Sequence, residues 1–127
     1  MHPYLGAQIR YRGHVPHARL ADYLTGASAL LMPIRWQEPF GLVMIEAMAH
    51  GVPVIGFGRG AVPEVVAHGV SGYVVDSIDE MCRAVRALDQ LSADRCRHHV
   101  RRRFAVHQMV DGYRAALATA TTLVSTR

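Results

Sequence analysis

Short apolar runs alternate with segments of helical periodicity along this 127-residue chain. The apolar runs end at Gly, Pro or charged residues, as buried strands do. They predict strands over Ile9–Arg12, Ala29–Met32, Pro53–Phe57 and Gly72–Val75. The other segments predict helices over His17–Thr25, Gly41–Ala49, Pro63–Ala67, Asp79–Leu91, Ser92–Phe104 and His107–Leu123.

This alternation predicts an α/β fold in a single domain, residues 1–127, with C-terminal helices from residue 92 onward. Continuous apolar strands are typical of a Rossmann-like parallel sheet with helices on both faces, here with about four strands. In open sheets of this kind, ligands bind outside the carboxyl ends of the strands. We therefore expect chemistry in the loops at residues 13–17, 33–41, 58–63 and 76–79.

Helix boundaries are marked by a few residues with defined capping preferences. Gly51 follows the second predicted helix and suits its C′ position. Ser77 or Asp79 is expected to cap the helix that begins near residue 79.

The composition indicates a globular protein. Hydrophobic residues make up 50% of the chain, but no apolar run approaches the ~20 residues of a membrane span. The first residues have no apolar signal-peptide segment, so a cytoplasmic location is expected. Cys82 and Cys96 have neither zinc nor redox-motif spacing.

All 14 basic residues are Arg, which excludes a Walker A lysine and a Schiff-base lysine within this chain. Five of them lie in the segment Arg95–Arg103, and the net charge is +4. We expect this cluster to be a solvated helix face. No aromatic residue is interleaved with it, so a nucleic-acid partner is not expected. Peripheral contact with an anionic membrane is left open.

Two glutamates, Glu38 and Glu46, flank seven residues that are mostly apolar. Glu38 lies in a Pro/Gly turn. On a helical projection Glu46 falls among Leu42, Val43 and Ala49, so we expect it to be partly buried. An ionised carboxylate on such a surface is costly without a hydrogen-bonding partner.

The helix that begins at Gly41 offers an anion site between the two glutamates. Its first N–H groups are unpaired and carry partial positive charge. Glu46 lies about 7.5 Å further along the helix axis. This spacing fits a ligand with a phosphate between two hydroxyl-bearing groups, as in a nucleotide sugar. The alternative is that Glu46 pairs with a core Arg and Glu38 is a solvated loop residue.

Four motifs occur in one order and spacing between Pro33 and Asp76. They are the Glu38-x7-Glu46 pair and the segments Gly51-x-Pro53-Val54-Ile55, Gly60-x-x-Pro63-Glu64-Val65 and Gly69-x-x-Gly72-Tyr73-Val74-Val75-Asp76. They resemble the C-terminal, donor-binding domain of GT-B retaining glycosyltransferases, the large group called family 4. The similarity extends from about Gly6 to about Tyr113 and implies a nucleotide-diphosphate sugar donor bound without a metal.

The resemblance also implies roles for individual residues. Glu38 is expected to contact the donor sugar and stabilise the transition state, as the catalytic residue. Backbone amides at Phe40, Gly41 and Leu42 are expected to hold the sugar and the distal phosphate. Glu46 is expected to bind the ribose hydroxyls.

Two further positions follow from the same resemblance. The loop at residues 13–16 resembles the one that borders the nucleobase, through backbone contacts at Val15. Glu64 is expected to brace its own turn.

Compared with the family, this sequence lacks an acceptor-binding domain and the beginning of the donor domain. We therefore expect it to be inactive alone, with the acceptor domain in a separate chain as one option. A non-catalytic nucleotide-binding or partner-complementing module is the alternative. The strand at Ile9–Arg12 is expected either to pair directly with Ala29–Met32 or to stay unpaired.

Overall fold

Three parallel strands form the centre of the molecule in the computed structural model, which describes residues 6–125 and side chains through residue 121. They are β1 (Leu30–Met32), β2 (Val54–Phe57) and β3 (Gly72–Val75), in the spatial order β1-β2-β3. Ile55 of β2 is aligned with Leu31 on one side and Tyr73 on the other. The predicted α/β fold with a parallel sheet is confirmed.

Six α-helices surround and extend this sheet in the described residues. Their bounds are α1 (Leu20–Leu24), α2 (Leu42–Ala49), α3 (Val62–Val65), α4 (Ile78–Arg86), α5 (Ala93–Arg103) and α6 (Val106–Ser125). Short 3-10 helices cover His17–Arg19 and Leu88–Gln90. The predicted positions of the helices are confirmed to within a few residues, except that the segment predicted over Asp79–Leu91 divides into α4 and a 3-10 turn.

The sheet separates two apolar clusters. Val54 of β2 contributes to the larger cluster, which α1, α2, α3 and α5 complete on one face. The next residue, Ile55, contributes to a smaller cluster with Met81 and Ala84 of α4 on the other face. Because successive residues of a strand point to opposite faces, an all-apolar β2 requires helices on both sides.

The predicted strand at Ile9–Arg12 is wrong, and the described sheet has three strands rather than about four. Residues 9–12 have no strand conformation and are exposed, so pairing with β1 is wrong and the unpaired alternative is confirmed. The segment Ile-Arg-Tyr-Arg alternates apolar and charged residues and has only one strongly apolar position. A single such segment gains too little from pairing at a sheet edge, so its backbone N–H and C=O groups hydrogen-bond more readily to water.

The predicted caps are observed at two helix ends. Gly51 follows α2 with φ of 82°, a left-handed conformation that suits glycine. The Ser77 side chain accepts a hydrogen bond from the Glu80 N–H and caps α4.

Helix α5 packs closely on α2 and α3. Its Cys96 is fully buried, and its His99 Nε2–H donates to the Val65 carbonyl at 2.9 Å. Burial raises the pKa of the Cys96 thiol, and the nearby positive charge of Arg97 partly opposes this. The Arg97 guanidinium lies so close to Gly51 that a Cβ there would collide with it. These contacts hold the end of α2 in place.

Helix α6 differs from the other helices because most of its described surface is exposed. Val106, Met109, Tyr113 and Leu117 are all more than half exposed. No helix within residues 6–125 combines the length and apolar character that crossing a bilayer requires.

The sheet depends on a close approach at Gly72, the first residue of β3. A Cβ at this position would collide with the Val54 carbonyl and lie 2.9 Å from the Val54 N atom. We predict that Gly72→Ala lowers the free energy of unfolding by about 3 kcal/mol, because the two strands must move apart. Urea denaturation measures this loss.

The matched control for this substitution is Gly112→Ala on α6, where a Cβ meets nothing within 4 Å. Alanine is the better helix former, so this variant should be as stable as the wild type or slightly more stable. Equal stability of Gly72→Ala and wild type would contradict the close approach of β3 to β2.

Candidate functional site

Two loops at the carboxyl ends of β1 and β2 are joined by two hydrogen bonds. The Gln37 side-chain oxygen accepts from the Gly60 N–H at 2.7 Å, and the Glu38 carbonyl accepts from the Ala61 N–H at 2.7 Å. Gly60 has φ of 55°, and a Cβ there would collide with the Glu38 backbone. The backbone of Glu38 is therefore fixed by the neighbouring loop.

The Glu38 carboxylate is held by its own loop. It is partly buried and accepts a hydrogen bond from the Trp36 indole N–H at 3.1 Å. The alternative of a solvated loop glutamate stays open, because this hydrogen bond is itself exposed to solvent. Trp36 itself is 61% exposed, so its indole N–H donates to Glu38 while much of the ring faces solvent.

The N-terminus of α2 is open. Gly41 is its N-cap residue, with φ of 74°, and no side chain caps the first turn. The first hydrogen bond there runs from the Met44 N–H to the Gly41 carbonyl at 2.9 Å, so the Leu42 and Val43 N–H groups precede it. A Cβ at residue 41 would collide with the buried Met44 side chain, which explains the glycine.

Glu46 lies one and a half turns into α2 and is partly buried, as predicted. Its carboxylate pairs with His17, with Nδ1 3.1 Å from Oε1. The alternative of a core Arg partner is therefore wrong. Sequence reasoning missed His17, because it is 29 residues from Glu46 and no local spacing links the two.

The loop with Val15 leads directly to this pair. Val15 is partly buried, Pro16 follows it, and the 3-10 helix begins at His17. Val15, in the loop predicted to border the base, is therefore two residues before His17, which contacts Glu46.

A cleft of about 440 Å³ lies beside Glu38. Residues 37–40, 60–61, 64–65 and 103–104 line it. Of the six predicted residues, Glu38 and Phe40 line this cleft, whereas Val15, Gly41, Leu42 and Glu46 do not.

Arg103 and Glu64 also line this cleft. Arg103 is exposed, as expected for the Arg95–Arg103 face, and its guanidinium lies 5.9 Å from the Phe104 ring centroid. Glu64 is exposed, and no hydrogen bond or ion pair of its side chain is found within the described part of the chain. The structure gives no support for a bracing role of Glu64.

Two other cavities contain none of the predicted residues. One, of about 830 Å³, lies along the basic side of α5. The other, of about 340 Å³, lies between Leu31 of β1 and the apolar side of α4. The cleft beside Glu38 is the better candidate, since it lies at the carboxyl ends of the strands and contains a positioned carboxylate.

A metal site is not apparent in the part of the chain that the structure describes. Nowhere in residues 6–125 do three His, Cys, Asp or Glu side chains come together as a metal site would require. Binding without a metal stays a prediction.

Comparison with protein families gives a match over residues 4–106 to the family described as glycosyl transferases group 1. A sucrose-phosphate synthase from Thermosynechococcus elongatus has a similar structure. The TM-score is 0.69 at 30% sequence identity, over 84% of this chain and 30% of that one.

Similar sequences come from several bacteria. An uncharacterized 41.2 kDa protein in the cps region of Klebsiella pneumoniae is 34% identical, over 83% of this chain and 31% of its own length. The D-inositol 3-phosphate glycosyltransferase of Streptomyces avermitilis is 44% identical, over 56% of this chain and 15% of its own length. The N-acetyl-alpha-D-glucosaminyl L-malate synthase of Bacillus anthracis is 36% identical, over 71% of this chain and 26% of its own length.

The chain therefore spans less than a third of the length of these relatives. The family match covers most of the chain, and the solved structure shares its fold. Together with the α/β sheet and the two motif glutamates, these matches show that the chain belongs to the group 1 glycosyl transferases, which have the GT-B fold.

Proposed function

We propose that this domain binds a nucleotide-diphosphate sugar, without a metal ion, as the donor for sugar transfer to an acceptor. One observation carries the proposal: the uncapped N-terminus of α2 lies between Glu38 and Glu46 in the sequence, with Trp36 donating to the first carboxylate and His17 in contact with the second. This arrangement matches a ligand with an anionic centre and hydroxyl groups at both ends.

The diphosphate would lie at the start of α2. Free N–H groups and the helix dipole favour an anion at this end, where no side chain caps the helix. Arg59, in the loop after β2, is exposed and could contribute charge from the side. The chain has no Lys to serve this purpose.

The donor sugar would occupy the cleft beside Glu38. Its lining combines carboxylates, a guanidinium and the Phe40 and Phe104 rings, a mixture suited to the polar and apolar faces of a sugar. Transfer from a sugar donor passes through an oxocarbenium-like state with positive charge near the anomeric carbon. A carboxylate held in advance by Trp36 can stabilise that charge without reorganising.

The nucleoside would lie at the other end of the ligand, beside Glu46. Glu46 can accept hydrogen bonds from ribose hydroxyls, and the backbone near Val15 would border the base.

Because the relatives are at least three times as long as the matched region, we propose that the acceptor binds outside these 127 residues. A separate chain that carries the acceptor domain is one form of this proposal, and the chain alone should then show no transfer.

The first test is calorimetric titration of the 127-residue chain with UDP and GDP and with their sugar-linked forms. We predict that Glu46→Gln weakens binding of both kinds of ligand about tenfold, because a charge-assisted hydrogen bond to ribose is lost. Glu38→Gln should weaken binding of the sugar-linked forms and leave the affinity for UDP or GDP nearly unchanged. EDTA should change none of these affinities.

Asp111→Asn on the exposed surface of α6 is the charge-matched control and should bind like the wild type. Absence of heat with every ligand, in a sample shown to be folded, would contradict donor binding. Sugar release from the donor by the chain alone, above the uncatalysed rate, would contradict the expected inactivity.

A second test changes the position of Glu38 rather than its charge. Gly60→Ala should push the Glu38 backbone away and weaken binding of a sugar-linked nucleotide more than binding of the free diphosphate. Gly69→Ala is the matched control, because Gly69 has a similar φ of 74° but its Cβ would meet nothing within 4 Å.

Both glycine variants should lose about 1 kcal/mol of stability from backbone strain, and Gly60→Ala should lose more because its Cβ also collides with the Glu38 backbone. Only Gly60→Ala should change the ratio of the two affinities. The same ratio in both variants would contradict the dependence of the sugar site on this loop contact.

A further inference from the structure

The contact between His17 and Glu46 joins two parts of the chain that are far apart in sequence. His17 Nδ1 lies 3.1 Å from Glu46 Oε1. Within the described side chains, through residue 121, no other partner of this carboxylate is found, and none at all of Oε2. One carboxylate oxygen is therefore occupied and the other is available.

Stability of the fold does not account for this contact. The His17 side chain is 85% exposed and that of Glu46 is 28% exposed. Exposed ion pairs contribute little to the free energy of unfolding. The segment that follows His17 is already anchored by apolar contacts, since Leu24 is buried and Leu20 packs against the same core.

The contact does restrict the orientation of Glu46. A glutamate on a helix surface can adopt several rotamers, and a ligand that needs one of them must order the side chain on binding. The contact with His17 favours rotamers that bring Oε1 to the imidazole and leaves Oε2 for a ligand hydroxyl. Pro16 has a restricted φ of −58° and connects His17 to Val15, so the same few residues also set the position of the base-side loop.

We propose that His17 is a positioning residue for the nucleotide: it holds the Glu46 carboxylate so that its free oxygen accepts a ribose hydroxyl. The domain should then prefer ribonucleoside diphosphates to their 2′-deoxy forms, and this preference should depend on His17. This inference rests on the proposed nucleotide binding.

A competing role for His17 predicts the opposite change in nucleotide affinity. If His17 only occupied Glu46 until a nucleotide displaced it, its removal would free the carboxylate and tighten binding. Loss of affinity on removal of His17 therefore distinguishes a positioning residue from a competitor.

The experiment is titration of the 127-residue chain and its variants with UDP and 2′-deoxy-UDP, and with GDP and 2′-deoxy-GDP. His17→Ala should weaken binding of the ribonucleotides about fivefold and bring the ratio of ribo to deoxy affinity close to one. His17→Gln should restore much of that ratio, because its side-chain amide can donate to Glu46. His107→Ala, which removes an exposed histidine from α6, should match the wild type.

Several results would overturn the proposal. They are tighter binding by His17→Ala, an unchanged ratio in that variant, or an equal loss for ribo and deoxy ligands, which would indicate a purely structural role. If the wild type binds nucleotides and His17→Ala binds them identically, only the proposed role of His17 is overturned. If the wild type binds no nucleotide, the proposed function is overturned and this inference with it.

Discussion

The burial of α2 between the sheet and α5 is the constraint on which the rest of the structure depends. Met44, Ala47 and Met48 are fully buried, and α5 covers the outer side of the helix. Burying each of the two methionine side chains contributes roughly 1.5–3 kcal/mol, so the position of α2 is strongly determined. Gly51 allows α5 to approach the end of α2, and Gly41 allows the chain to turn into its start.

An apolar helix held in this way leaves few places for polar chemistry. Its uncapped N-terminal N–H groups and the carboxylate of Glu46 are the polar groups that it offers. Each charge beside them needs a donor, because a desolvated carboxylate without one is costly. Trp36 donates to Glu38 and His17 lies beside Glu46, and both partners come from loops rather than from the core. The packing thus determines where the site is, and the loops determine how its carboxylates are oriented.

The sequence predicted the parts of the fold that depend on local patterns. The apolar runs of β2 and β3, the helical projection that placed Glu46 at a partly buried edge, and the caps at Gly51 and Ser77 all follow from neighbouring residues. The strand at Ile9–Arg12 failed because a strand needs a partner, and no partner for it is found in the described structure. His17 and Arg103 could not be found from sequence, since each reaches the glutamate region from another element through the tertiary fold.

Mapping the nucleotide on the chain itself tests most directly whether the start of α2 and the carboxylates of Glu38 and Glu46 form the donor site. Backbone amide chemical shifts of the isotope-labelled protein, recorded by NMR during addition of UDP or GDP, report contact residue by residue. The arrangement predicts the largest changes at the amides of Leu42 and Val43, with smaller ones near Glu46 and Val15. Changes concentrated along the arginine face of α5, with none at the start of α2, would contradict it.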